Sequence, residues 1–102
     1  MYELRYEPKF KADYKRFAHE HPELVGEFRE LVRELATDGK LSQAYQPHVL
    51  SKSGGLYNGY IDAHLSDGEA DVIVIYVPHR SNPVIRFVRI GTHDDIFRGR
   101  QR

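Results

Sequence analysis

Three histidines of this 102-residue chain stand where an extended segment gives way to a loop: His48 after Pro47, His64 at the close of LYNGYIDAHL, and His93 in RIGTHDDIF. Asp71 opens the apolar run DVIVIYV, and the two-residue period of a strand puts Asp62 on the same face as His64. Three imidazoles and a carboxylate suit two chemistries. One is a metal site, since His and Asp both ligate zinc. None of these three histidines belongs to an HxxxH or HxH pair that would supply a short-range chelate. The other is metal-free acid–base work, because an imidazole with a pKa near ~6.5 takes a proton in one place and gives one in another. Cleavage of RNA by its own 2′-hydroxyl needs that pair, together with cations beside the phosphate. Arg86, Arg89 and Lys52 are the candidate substrate-binding cations. Strand alternation predicts that Arg86 and Arg89 point to opposite faces, so that at most one lies beside the site. The other histidines, His19 and His21 in HEHPEL and His79 in PHRSNP, read as surface residues.

The elements that must position these residues follow from periodicity. YELRYEP alternates and reads as a first strand ending at Pro8. Phe10, Tyr14 and Phe17 lie at helical spacing, which predicts a short helix over 8–19. Leu24, Val25, Phe28, Leu31, Val32 and Leu35 form an apolar stripe between Pro22 and Gly39, so a second helix follows. Gly26 within it costs roughly 1 kcal/mol against Ala unless the first helix packs closely there. LSQAYQPHVLSKSGG reads as a loop and LYNGYIDAHL as a strand of some eight residues. DVIVIYV reads as a central strand covered on both faces, and VIRFVRIG as a fourth strand followed by a short helix at 93–98. The order β-α-α-β-β-β predicts an α+β domain spanning 1–102, with two helices on one face of a mainly antiparallel four-stranded sheet. His48, His64, Asp71 and His93 converge if the second and fourth of these strands end on the same side.

Charge is balanced overall, fifteen basic residues against fifteen acidic, but unevenly spread. Residues 20–38 carry six acids against two arginines, and residues 80–102 carry six arginines against two acids. The basic C-terminal end is thus a candidate anion-binding surface that the zero total hides. The absence of cysteine fits a reducing compartment. The run Val72 to Val77 falls far short of the ~20 residues of a membrane span. MYELRYEPKFK lacks an apolar signal core, and the expectation is a cytoplasmic protein with no membrane partner.

PHVL at 47–50, GLYNGYIDAHL at 55–65, DVIVIYV at 71–77 and RFVRIGTHDDIF at 86–97 together resemble the RelE/ParE superfamily of type II toxins, most closely the YafQ-type mRNA interferases. The resemblance covers nearly the whole chain. The succession GY-x-DAH, D-x-x-x-x-Y and R-x-GTH-x-x-x-F carries it better than any single piece. It implies the microbial-ribonuclease-like RelE fold and a catalytic set of His48, His64, Asp71, His93 and Phe97. It also implies ribosome-dependent, metal-independent endoribonuclease activity on mRNA, with no cofactor. In that reading His93 is the general acid and His48 the general base, an assignment that the two residues can exchange. His64 steadies the phosphate, Asp71 orients an imidazole and Phe97 stacks on a base. Asp67 is the alternative to Asp71.

The implied partners are a cognate antitoxin of the DinJ or RelB kind, the ribosome and mRNA, with DNA reached only through the antitoxin complex. The RelE branch has an arginine in place of His93, and the ParE branch shares the fold, poisons gyrase and lacks the histidine set. The rival expectation is therefore a toxin of the ParE kind, or a degenerate member, acting by protein binding alone. The chain departs from YafQ-type proteins at Val72, where they carry tryptophan, and at Ile61, where they carry arginine. SKSG at 51–54 and SDGE at 66–69 lengthen two loops.

Overall fold

The computed structural model describes residues 1–51, 55, 57–66, 71–79 and 83–97. The chain runs β1 (Glu3–Tyr6), α1 (Pro8–Glu20), α2 (Val25–Asp38), β2 (His48–Val49), β3 (Ile61–His64), β4 (Ile73–Pro78), β5 (Val84–Gly91) and α3 (His93–Phe97), with 3-10 turns at Pro22–Leu24 and Gln43–Tyr45. The sheet order is β1-β5-β4-β3-β2; β1 lies parallel to β5 and every other pairing is antiparallel.

Local chemistry sets the helix limits. Pro8 occupies the first turn of α1, where a missing N–H costs nothing. Gly39 ends α2 in the left-handed conformation (φ 75°) and donates its N–H to Leu35 O at 2.9 Å. The ring of Tyr2 occupies the space that a Cβ on Gly39 would need, so both dihedral and room require glycine. Gly26 is different. Nothing lies within 4 Å of a Cβ built there, so no close helix packing explains it.

The apolar stripe of α2 and the aromatic face of α1 bury Phe10, Phe17, Phe28, Leu31 and Leu35 against Ala63, Val74, Tyr76, Ile85, Phe87 and Ile90 of the sheet. The opposite face carries a smaller core of Ile73, Ile75, Val88 and Ile96, bordered by Leu50, Tyr57, Tyr60, Val77 and Phe97. β4 is therefore buried on both sides, which accounts for its unbroken apolar sequence. A fifth strand appears where the sequence reads as loop: His48 and Val49 pair with Asp62 and Ile61. The predicted eight-residue strand shortens to β3, four residues, with Tyr57–Gly59 forming a turn ahead of it.

Register between β4 and β5 slips by one residue between Ile75 and Tyr76 and leaves Val88 unpaired, a β-bulge. The bulge overturns the expected alternation. Arg86 registers with Val77 and Arg89 with Ile75, so both belong to the face that carries the smaller core.

Candidate active site

β3 and β5 each run antiparallel to β4, so they run parallel to one another and end at the same edge of the sheet. The condition for convergence is met. His64 registers with Ile73 and through it with Gly91, and Thr92 and His93 follow directly. The N–H of Leu65 donates to Val72 O at 3.1 Å and closes the β3–β4 connection, which brings Asp71 to the same edge. Ser66, at φ 58°, donates its N–H to both carboxylate oxygens of Glu27 at 2.8 Å, so one acid of α2 anchors the chain just beyond His64. β2 delivers His48 opposite Asp62. Thr92 caps α3, accepting the Asp95 N–H on its hydroxyl at 3.1 Å, and Ile96 pins the helix into the smaller core.

The three imidazoles form a row. Ring centroids are 6.0 Å apart from His48 to His64 and 6.1 Å from His64 to His93. Each outer imidazole has its own carboxylate. His93 Nδ1 lies 2.5 Å from Asp71 Oδ1, and His48 Nδ1 lies 2.8 Å from Asp62 Oδ1. A carboxylate at Nδ1 fixes the ring and leaves Nε2 for chemistry. The two carboxylates differ: Asp71 is exposed, whereas Asp62 is only 2% exposed. Burial pushes the Asp62 carboxyl above the usual range, with His48, His64 and His93 pulling it back. Its Oδ1 lies close to His48 without an aligned hydrogen bond, and His64 Nδ1 is buried without a partner among the described residues. Phe97 stacks on His93 at 6.0 Å and 26°.

His48, His64, Asp71, His93 and Phe97 thus come together, and Asp62 joins them in a role that strand alternation alone did not assign. Its signal was available: it sits two residues before His64 on the same face. Asp67 and Lys52 lie outside the described residues. The two arginines are engaged elsewhere. Arg86 is held by Glu7, with Nε donating to Oε2 at 2.8 Å, and it lies towards the end of β5 remote from His93. Arg89 is buried and forks onto Asp13 of α1, Nε to Oδ2 at 2.5 Å and Nη2 to Oδ1 at 3.1 Å. Asp13 also accepts the Ile90 N–H at 3.2 Å, on a part of β5 that lies beyond its pairing with β1. Each guanidinium is thus already paired with a carboxylate.

Asp62, His64 and His93 also place one potential ligand atom each within 4.8 Å of the others. Two imidazole nitrogens and a carboxylate oxygen suit zinc or another first-row transition metal.

A two-helix layer on a mixed sheet, with this histidine row at its edge, is the architecture of the RelE/ParE-like class. Structures of that class superpose over nearly the full chain. YafQ from Escherichia coli in the DinJ–YafQ complex is 30% identical, with a TM-score of 0.75 and coverage of 95% of this chain and 99% of that one. YafQ from E. coli strain BL21(DE3) is 28% identical, with a TM-score of 0.74 and the same coverage. A metal-bound toxin from Helicobacter pylori is 26% identical, with a TM-score of 0.74, covering 95% of this chain and 100% of that one. No curated protein matches the chain at significance. A sequence profile described as the bacterial toxin of the type II toxin–antitoxin system, YafQ, matches residues 2–98, and the chain belongs to that family. Among the described residues no helix is long and apolar enough to cross a membrane.

Proposed function

We propose that this toxin is an endoribonuclease that cuts mRNA on the ribosome, in the cytoplasm, by metal-free acid–base catalysis. The observation that carries the reading is the pair of His–Asp contacts on either side of His64. In the reaction the 2′-oxygen bonds to phosphorus as its proton passes to His48. The P–O5′ bond then breaks as His93 donates a proton to O5′, leaving a 2′,3′-cyclic phosphate and a free 5′-hydroxyl. His64, central in the row, faces the phosphate, and Asp71 and Asp62 hold the outer rings. An exchange of the acid and base roles keeps the same balance. The ribosome supplies orientation of the message, since this chain has no net charge with which to grip free RNA. A small antitoxin binds the toxin and holds it inactive; the structure of YafQ in complex with DinJ supports such a partner.

The test maps new mRNA 5′ ends after induction in growing cells. Fresh 5′-hydroxyl ends are expected with the wild type. His93→Ala should slow single-turnover cleavage by about 10²–10⁴-fold, with melting unchanged. The rate should follow a bell in pH, one imidazole acting protonated and another neutral. Cleavage by His93→Ala at the wild-type rate would return the row to a structural role.

A second reading has one observation behind it: the convergence of Asp62, His64 and His93, in a fold shared with a metal-bound H. pylori toxin. Zinc or copper bound there would occupy the imidazole nitrogens that acid–base transfer needs. Titration with either ion should therefore inhibit cleavage, and a chelator should restore it. Loss of activity on chelation would favour metal catalysis instead.

A further inference from the structure

The imidazole row does not stop at His93. Phe97 lies 6.0 Å from His93, Tyr57 lies 6.3 Å from Phe97, and Tyr60 lies 5.8 Å from Tyr57. Six rings therefore follow one another at near-equal steps, three imidazoles and then three benzenoid rings. The first three carry acid–base chemistry, and the last three carry only π-faces and two hydroxyls.

Tyr57, Tyr60 and Phe97 are half-buried, and they border the smaller core of Ile73, Ile75, Val88 and Ile96. Roofing that core would need no more than apolar side chains. Two features ask for more. Tyr57 adopts a left-handed backbone (φ 63°), a conformation that costs a bulky L-residue stability and tends to persist where placement of the side chain matters. Its hydroxyl also accepts a hydrogen bond from Arg89 Nη1 at 3.3 Å, and Arg89 is itself locked by Asp13. The chain Asp13–Arg89–Tyr57 thus fixes a ring beside Phe97. Leu50 holds the turn from both sides, donating its N–H to Tyr60 O at 2.8 Å and accepting from Gly59 N–H at 2.7 Å.

The geometry points to a base-binding strip: Phe97, Tyr57 and Tyr60 stack the nucleobases of the single-stranded RNA on the 3′ side of the cut. This deepens the ribonuclease reading and rests on it for direction. His93 protonates O5′, which belongs to the nucleoside downstream of the broken bond. The benzenoid rings join the row at His93, through Phe97, so that nucleoside and the next one lie over them. Aromatic faces accept successive bases in this way and tolerate any sequence, with modest preferences set by stacking strength. Arg89, one of the candidate substrate-binding cations of the sequence, becomes a positioning residue that acts through the Tyr57 hydroxyl.

The experiment has two arms. The first maps cuts by wild type, Tyr57→Phe and Tyr57→Leu on ribosomes translating mRNAs randomised around the cleavage region. Tyr57→Leu should raise KM roughly 5- to 150-fold, the range of one lost base stack, with kcat little changed. It should also flatten base preference at the first nucleotides 3′ of the cut, and only there. Tyr57→Phe keeps the ring but cuts its tie to Arg89, so it should weaken the preference less than Tyr57→Leu does. The second arm needs no cleavage. The chain contains no tryptophan, so its tyrosine fluorescence reports stacking directly. A short 2′-O-methyl oligoribonucleotide, uncleavable by 2′-attack, should quench it, and less so in Tyr57→Leu or Tyr60→Leu. Quenching without cleavage of translated mRNA would keep the strip and remove the ribonuclease reading. Unchanged KM and downstream preference in a folded Tyr57→Leu protein would overturn the strip, as would absence of quenching up to millimolar oligonucleotide. A change confined to preference upstream of the cut would overturn the assigned side.

Discussion

Replacing Arg89 by methionine separates a residue that holds the fold from one that holds substrate. Both members of the Asp13–Arg89 pair have side chains under a tenth exposed, joined by two hydrogen bonds, and Asp13 accepts a third from the Ile90 N–H. The Asp13 carboxylate holds the Arg89 guanidinium well above its ordinary pKa, so the cation persists at any working pH. Removing one partner strands the other charge in a poorly solvated place, which costs about 3–5 kcal/mol. Against a total of about 5–15 kcal/mol for a domain, that is a large fraction. For a domain of this size it lowers Tm by on the order of 20 °C. Asp13→Leu should cost as much, since it leaves Arg89 and the Ile90 N–H unsatisfied together. The double replacement Asp13→Leu with Arg89→Met should recover the part of the loss due to the stranded charge, because an apolar pair replaces a buried ion pair at little net cost. It should not recover the part due to the Ile90 N–H, which stays without its acceptor. Urea unfolding of the four proteins closes the cycle. If Arg89→Met unfolds within about 1 kcal/mol of wild type yet loses cleavage, a substrate role for Arg89 is restored and the structural argument fails.

Three further outcomes follow from single positions. Gly26→Ala should raise stability by up to ~1 kcal/mol in urea unfolding, since the helix interior gains a better former and the methyl meets nothing within 4 Å. Gly39→Ala should lose ~1–2 kcal/mol for its left-handed backbone alone, and more for collision with the Tyr2 ring, read as a lower urea midpoint. Asp62→Asn should stabilise the fold while impairing cleavage. Burial raises the Asp62 carboxyl in the folded state, so folded protein loses stability as pH climbs from the unfolded carboxylate range through that raised pKa. The gain in Tm should therefore be present near neutral pH and fade below pH ~4, where the wild-type carboxyl is protonated in both states. A gain that grows on acidification would reverse the sign of this reasoning.

Much of this protein is written locally. The stripe from Leu24 to Leu35 and the stop at Gly39 define α2 without reference to any other segment, since helix period and capping depend on neighbours a few residues apart. The unbroken Val72–Val77 run marks a strand buried on both faces. The ordered motifs around His64, Asp71 and His93 carried the family. What the sequence alone left conditional, the meeting of His48, His64 and His93, depended on strand directions, which are a property of pairing. β3 and β5 end together only because each is antiparallel to β4.

Other features were invisible because they arise from distant contacts. The two-residue strand at His48–Val49 exists by virtue of its partner, not its propensity. The bulge at Val88 comes from a register slip against β4, and one extra residue moved Arg86 and Arg89 onto the same face. Asp13, on a helix 76 residues before Arg89, claimed a guanidinium that the sequence offered as one of three candidate substrate-binding cations. Tyr57 reads as an ordinary strand residue in LYNGYIDAHL. Only the tertiary structure turns it into a left-handed ring beside Phe97, because its position is set by a turn, a buried arginine and a helix at the far end of the chain.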